Sequence, residues 1–118
     1  MKRKTIGLLV SGIADNFSVR VCKGVIKTAQ KYDVEVVVFP GKYLDRDLSM
    51  WKEIMYEYQY NTLFHYAQKS NLDGIIVAAG SICCYTDNKK MEEFMKQYDG
   101  IPTVIVGGKL DGYISVNY

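Results

Sequence analysis

Ser11, Asp15, Asn16, Ser81 and Lys109 are the side chains of this sequence best suited to hold a ligand. Three of them fall in one short stretch, Ser11-Gly12-Ile13-Ala14-Asp15-Asn16-Phe17, directly after the apolar run Thr5-Ile6-Gly7-Leu8-Leu9-Val10. Together they offer hydroxyl, carboxylate, carboxamide and ammonium groups, a set matched to a neutral hydroxylated molecule. Phe17 or Tyr85 supplies an aromatic surface for the apolar face of a sugar or ring. Plainer roles stand beside these. Asp15 and Asn16 can cap a helix, whose first N–H groups need an acceptor, and Ser81 can close a turn.

Chemistry of other kinds finds little support. His65 is the single histidine, set between Phe64 and Tyr66 with no acidic neighbour, and reads as structural or exposed. Cys83-Cys84 is a vicinal pair without the further Cys or His spacing of a metal site. It reads as small buried thiols, because a cysteine nucleophile needs a base that the sequence does not supply. There is no Gly-x-x-x-x-Gly-Lys-Ser/Thr and no Gly-x-Gly-x-x-Gly after the first strand. Ala14-Asp15 would set a negative charge in a flavodoxin-type phosphate loop, and Ala78-Ala79-Gly80 lacks the phosphorylatable Asp of a response-regulator receiver. The expectation is a binding domain that is not an enzyme, with no cofactor and no metal.

The elements that position these residues alternate in type. Thr5–Val10 is apolar almost throughout, which suits a parallel strand buried on both faces. A helix follows to Tyr32-Asp33, with Phe17, Val21, Gly24, Val25 and Thr28 on one face and Gly24 explained by close packing on the sheet. Residues 34–39 make a β-branched second strand, broken at Pro40-Gly41. Residues 42–57 are long for a βα connection and could hold an extra helical turn. A second helix runs to about Ser70, with Thr62, Leu63, Tyr66 and Ala67 toward the sheet.

Residues 74–78 are strand three, a third helix carries Met91, Phe94, Met95 and Tyr98, and strand four is Thr103–Val106. Residues 112–116 make a short fifth strand. The order β-α-β-α-β-α-β-β predicts an α/β, doubly wound parallel sheet, and right-handed crossovers give strand order 2-1-3-4-5. Ligands of such sheets sit beyond the carboxyl ends of the strands. Loops one, three and four, with Ser11 to Phe17, Ser81 and Lys109, all lie there.

At 118 residues the chain is one domain, and 48% apolar residues give it an ordinary globular composition. Fifteen basic against thirteen acidic residues, a net charge of +2, argue against a nucleic-acid surface. No apolar run nears the roughly twenty residues of a membrane span. The N-terminus lacks a secretory apolar core, and three cysteines imply no disulfide framework, so the expected compartment is the cytoplasm. Trp51, Tyr56, Tyr58 and Tyr60 form an aromatic stretch that could be an interface or could cover the sheet edge.

Several of these segments share a known pattern. Thr5–Val10, Asp15-Asn16-Phe17, Cys22-Lys23-Gly24-Val25, Leu72-Asp73-Gly74-Ile75-Ile76-Val77, Ile101-Pro102-Thr103-Val104-Ile105-Val106 and Ser115-Val116 resemble the N-terminal lobe of the type I periplasmic-binding-protein fold. More narrowly, they are similar to the effector domains of lactose- and galactose-repressor-type regulators. The resemblance spans essentially residues 1–118. It implies a sensor that holds a small-molecule effector, often a sugar, between this lobe and a second one. It also implies a homodimer built on helix one and the aromatic insertion, and a fused output domain.

Asn16 and Phe17 correspond to ligand-contacting positions of loop one in that family, Ser81 to the strand-three loop and Lys109 to the strand-four loop. Gly107-Gly108-Lys109 departs from the family's Asp-Arg pair there. No helix-turn-helix stands before the first strand and no second lobe follows Tyr118, so direct nucleic-acid contact by these residues is not expected. The insertion also resembles versions of the lobe fused to diguanylate cyclases or histidine kinases. The alternative is a stand-alone flavodoxin-like cofactor-binding protein or enzyme, which predicts a bound flavin or nucleotide.

Overall fold

The computed structural model describes residues 3–12, 15–42, 57–83 and 86–116, with the side chains of residues 57–60 excepted. Its strands are β1 (Thr5–Val10), β2 (Glu35–Pro40), β3 (Gly74–Val77), β4 (Thr103–Val106) and β5 (Ile114–Val116). Its α-helices are α1 (Asn16–Lys31), α2 (Ala79–Ile82) and α3 (Asn88–Met95). Two 3-10 segments, Glu57–Tyr66 and Lys96–Tyr98, complete the order. All five strands pair in parallel in the order β2-β1-β3-β4-β5, as the alternation of elements predicts.

Register fixes two faces. Leu9 is aligned with Phe39 and Val77, and Val77 with Ile105, so these side chains share one face. Phe64, Ala67, Met91, Met95 and Tyr98 complete that core. Phe94 sits edge-on to both Phe64 and Tyr98, at 5.6 and 5.7 Å between ring centres. The buried Tyr98 hydroxyl donates to the Phe64 carbonyl at 2.8 Å. That bond ties the 3-10 turn after α3 to the 3-10 segment between β2 and β3, and burial pushes the phenol well above its ordinary value near 10. On the opposite face Leu8, Val10 and Ala78 are buried under Phe17, Val21, Cys22 and Val25 of α1.

Asp15 opens α1 as its N-cap, the side chain accepting from Ser18 N at 2.8 Å. Asp33, at φ 55°, ends it: the Val34 N–H returns to the Ala29 carbonyl at 2.9 Å. Asp87 caps α3, its side chain accepting from Lys90 N at 2.9 Å.

Three expectations need correction. Gly24 does not pack on the sheet: a Cβ built there meets nothing within 4 Å. Of the expected stripe, Phe17, Val21 and Val25 do pack on the sheet, joined by Cys22, Ser18 and Ala29, whereas Gly24 and Thr28 are exposed. Second, the segment before β3 is 3-10 and ends at Tyr66. Three residues per turn line up Asn61, Phe64 and Ala67 on one side. Phe64 and Ala67 are accordingly buried, whereas Thr62, Leu63 and Tyr66 are exposed. Third, strand five is shorter than expected, Ile114–Val116. The extra helical turn and the placement of Trp51, Tyr56, Tyr58 and Tyr60 fall outside the described residues and side chains.

Candidate functional site

The carboxyl ends of β1, β3 and β4 bring three loops to one point. A Cβ added at Gly80 would stand 3.0 Å from the Gly107 carbonyl oxygen and 3.1 Å from the Phe17 ring. Both distances are tighter than ordinary packing, so glycine at position 80 is what lets loops one, three and four close on each other. Phe17 is half-buried there, its ring packed over the Leu8–Val10–Ala78 cluster. Gly108 follows the same logic from the other side, against Ala79, Ile105 and Met91.

Beneath the loops lies a chain of hydroxyls. The Ser11 Oγ donates to the Ser81 Oγ at 2.9 Å, and Ser81 donates to the Ala78 carbonyl at 3.3 Å. Ser18 Oγ lies 3.4 Å from Ser11 Oγ, and Asp15 Oδ2 lies 3.5 Å from it. Ser11 has one proton to give, and the 2.9 Å contact to Ser81 takes it; Ser18 then donates to Ser11. All three serines are buried, Ser18 completely. Their hydroxyls satisfy one another, as buried polar groups must. The effect is to tie loop one to loop three and to the start of α1.

The six side chains singled out from the sequence therefore separate by environment. Ser11, Asp15 and Ser81 meet in this internal network, with Asp15 occupied by capping α1. Asn16 and Phe17 instead line an open recess of about 530 Å³ together with Arg20, Val21 and Val106. Lys109 is exposed on the loop after β4 and lines no part of that recess. Tyr85 and Cys84 fall outside the described residues.

Sequence reasoning missed Ser18, Gly80 and Arg20. Arg20 was legible in principle, one helical turn beyond Asn16. Ser18 and Gly80 were not, because only the fold sets them against their neighbours.

The recess can accept hydrogen bonds from a ligand at the Asn16 carboxamide oxygen, donate from Asn16 and the Arg20 guanidinium, and cover an apolar surface with Phe17, Val21 and Val106. It holds no nucleophile. The thiol nearest to it in sequence, Cys22, is pushed up by burial and then by the charge of Asp15, so it stays protonated. His65 is exposed far along the chain, its Nδ1 2.8 Å from Gln97 Oε1. No helix among the described residues is long and apolar enough to cross a membrane.

No family model matches this chain, and no curated protein does. Among solved structures it is similar to the crystal structure of a periplasmic binding ribose operon repressor protein from Lactobacillus acidophilus, at 17% identity and a TM-score of 0.52. The match covers 98% of this chain and 36% of that one, so the chain spans about a third of the length of its structural neighbour. What the two share is the fold: this chain is a five-stranded parallel α/β unit of the periplasmic-binding-protein-like type.

Proposed function

We propose that this chain is the N-terminal, ligand-sensing lobe of a transcription regulator or signalling protein, and that it performs no catalysis. A small-molecule effector, sugar-like in its hydroxyl groups, binds between the carboxyl edge of this sheet and a second lobe. The observation that carries the reading is the recess of Asn16 and Phe17 at the point where three loops meet, in a fold similar to that of a sugar-operon repressor. Asn16 hydrogen-bonds the effector, Phe17 covers its apolar face, and Arg20 joins them from the next turn. Ser11, Asp15 and Ser81 hold those loops in place rather than touching the ligand. Lys109 reaches the effector from the loop after β4 when the second lobe closes.

Closure works as a population shift. An effector that binds the closed pair of lobes more tightly than the open pair moves the equilibrium by that difference in affinity. The output is a fused domain, the assembly a homodimer in the cytoplasm, and neither nucleic acid nor membrane is touched by this lobe. α1 was expected to share in the dimer contact, but it carries Arg20, Lys23, Lys27 and Lys31 and no carboxylate. A two-fold contact along it would oppose like charges, so we assign the contact elsewhere.

The test is calorimetric binding of a panel of pentoses, hexoses and sugar acids to the intact regulator and its Asn16→Ala variant. Asn16 is exposed, so the substitution spares the core. Loss of about tenfold or more in affinity, roughly 1.4 kcal/mol, supports the assignment. Unchanged affinity for a ligand that the parent binds removes Asn16 from the site.

A further inference from the structure

The recess beside Asn16 and Phe17 carries a positive charge and no negative one. Among the described residues it is lined by Asn16, Phe17, Arg20, Val21 and Val106, of which Arg20 alone is charged. Arg20 is exposed and makes no ion pair among the described residues. A guanidinium presents a fork of N–H donors matched to two oxygens of one anion.

The carboxylate closest in sequence does not answer that charge. Asp15 Oδ1 accepts from Ser18 N at 2.8 Å, and Oδ2 lies 3.5 Å from the buried Ser11 Oγ. The set Ser11, Asp15, Asn16, Ser81 and Lys109 suits a neutral molecule only while Asp15 counts toward the ligand. With Asp15 held by the helix and by Ser11, what remains at this edge of the sheet is a carboxamide and cations. α1 adds Lys23, Lys27 and Lys31 and no acidic residue. Lys109 stands just past Gly107, which closes on Gly80 beside the Phe17 ring. Summed over the recess, these charges favour an anion.

We infer that the effector of the site proposed above, on which this rests, is an acid: a hydroxylated chain or ring bearing a carboxylate or phosphate. Arg20 holds the anionic group, Asn16 a hydroxyl, and Phe17 the carbon face. Closure gives the charge its weight. An exposed guanidinium is satisfied by water; covered by a second lobe, it loses that water and needs a counter-charge. An acid brings the counter-charge with it, so it favours the closed state more than its neutral parent does. Carboxylate and phosphate both pair with a guanidinium through two parallel hydrogen bonds, so the shared chemistry is the anion.

The experiment is calorimetry on the full-length protein with matched sets. One set is ribose, ribonate and the terminal phosphate ester of ribose; the other is glucose, gluconate and the terminal phosphate ester of glucose. Inorganic phosphate is the control. At least one acid is expected to bind about tenfold or more tighter than its neutral parent, by a margin that shrinks as salt is raised. Comparing carboxylate with phosphate ester tells which anion the site takes. Arg20→Gln is expected to erase the margin while the neutral parent's affinity holds within about twofold. Arg20→Lys keeps the charge without the fork and should restore part of it. Because Arg20 is exposed, both variants should keep the thermal midpoint.

Neutral sugars that bind as tightly as their acids, or a margin untouched by Arg20→Gln, overturn the inference and leave the effector site standing. Acids that bind no better than inorganic phosphate overturn it too, since the hydroxyls then add nothing. No binding by any compound of the two sets, or binding that Asn16→Ala leaves unchanged, removes the effector site itself and the acid class with it.

Discussion

Ser11 and Ser81 stand seventy positions apart in the chain, and their hydroxyls meet at 2.9 Å in the interior. That bond joins the loop after β1, which leads into Asn16 and Phe17, to the loop after β3. Replacing Ser11 by Ala strips Ser18 of its acceptor and Ser81 of its donor at once. The expected cost is about 1–3 kcal/mol in urea unfolding, because buried polar groups left unpaired lose more than the bond itself contributes. The double variant with Ser81→Ala should cost less than the sum of the two single changes. Strict additivity would mean that the two hydroxyls do not act on each other.

Two glycines of this chain should respond to alanine in opposite directions. Gly80→Ala forces a Cβ to 3.0 Å from the Gly107 carbonyl and 3.1 Å from the Phe17 ring. It should destabilise by about 1–3 kcal/mol as an overpacked junction. Gly24→Ala enters open space inside a sixteen-residue helix and should stabilise by about 0.5–1 kcal/mol through helix propensity alone. Thermal unfolding of the two variants decides both, and a stabilised Gly80→Ala would refute the convergence of the three loops.

The strands were legible because parallel strands read as short β-branched runs: Thr103–Val106 falls where the sequence puts it, and the sheet order follows from the handedness of the crossovers. Asp15 was legible as a cap, since capping depends on neighbours three residues away. The 3-10 run Glu57–Tyr66 was not. Its residue types do not separate a 3-10 run from an α-helix, and only tertiary packing picks out Phe64 and Ala67 as buried. Gly24 misled because a helical glycine most simply signals close packing, whereas here nothing in the described residues comes within 4 Å of the place its Cβ would take. Of the candidate site, the loop was readable from sequence. The division of its side chains between an inner network and an outer recess was not, because Ser18 and Ser81 declare themselves only as partners of Ser11.

Alkaline pH should unfold this protein through Tyr98. Its phenol has a pKa raised by burial, so the neutral form is favoured in the fold. The sign follows from linkage: the stability this gives is fully present below the ordinary tyrosine value near 10 and is lost as pH rises above it. Tyr98→Phe removes both the titration and the donor to the Phe64 carbonyl. It should cost about 1–3 kcal/mol at neutral pH and flatten the fall in stability above pH 10. Denaturant titrations at neutral pH and at about pH 11 measure the two effects separately, and an unchanged alkaline slope in Tyr98→Phe would contradict the assignment.

Loss of the cap should be felt twice. Asp15→Ala leaves Ser18 N without its acceptor at 2.8 Å and should cost about 1 kcal/mol of stability. It also removes a carboxylate that raises the Cys22 thiol, so Cys22 should titrate lower and react faster with a thiol reagent at pH 8–9. Slower modification in the variant would contradict this reading of the charge.

The central claim is that an effector binds where Phe17, Gly80 and Gly107 converge. Amide chemical-shift mapping of the full-length protein against pentoses, hexoses and sugar acids tests it most directly. Saturable shifts centred on Asn16, Phe17, Arg20, Gly80 and Gly107, lost in Asn16→Ala, are the predicted result. Saturable shifts confined to other surfaces, or a flavin or nucleotide already resident in the purified protein, would contradict it.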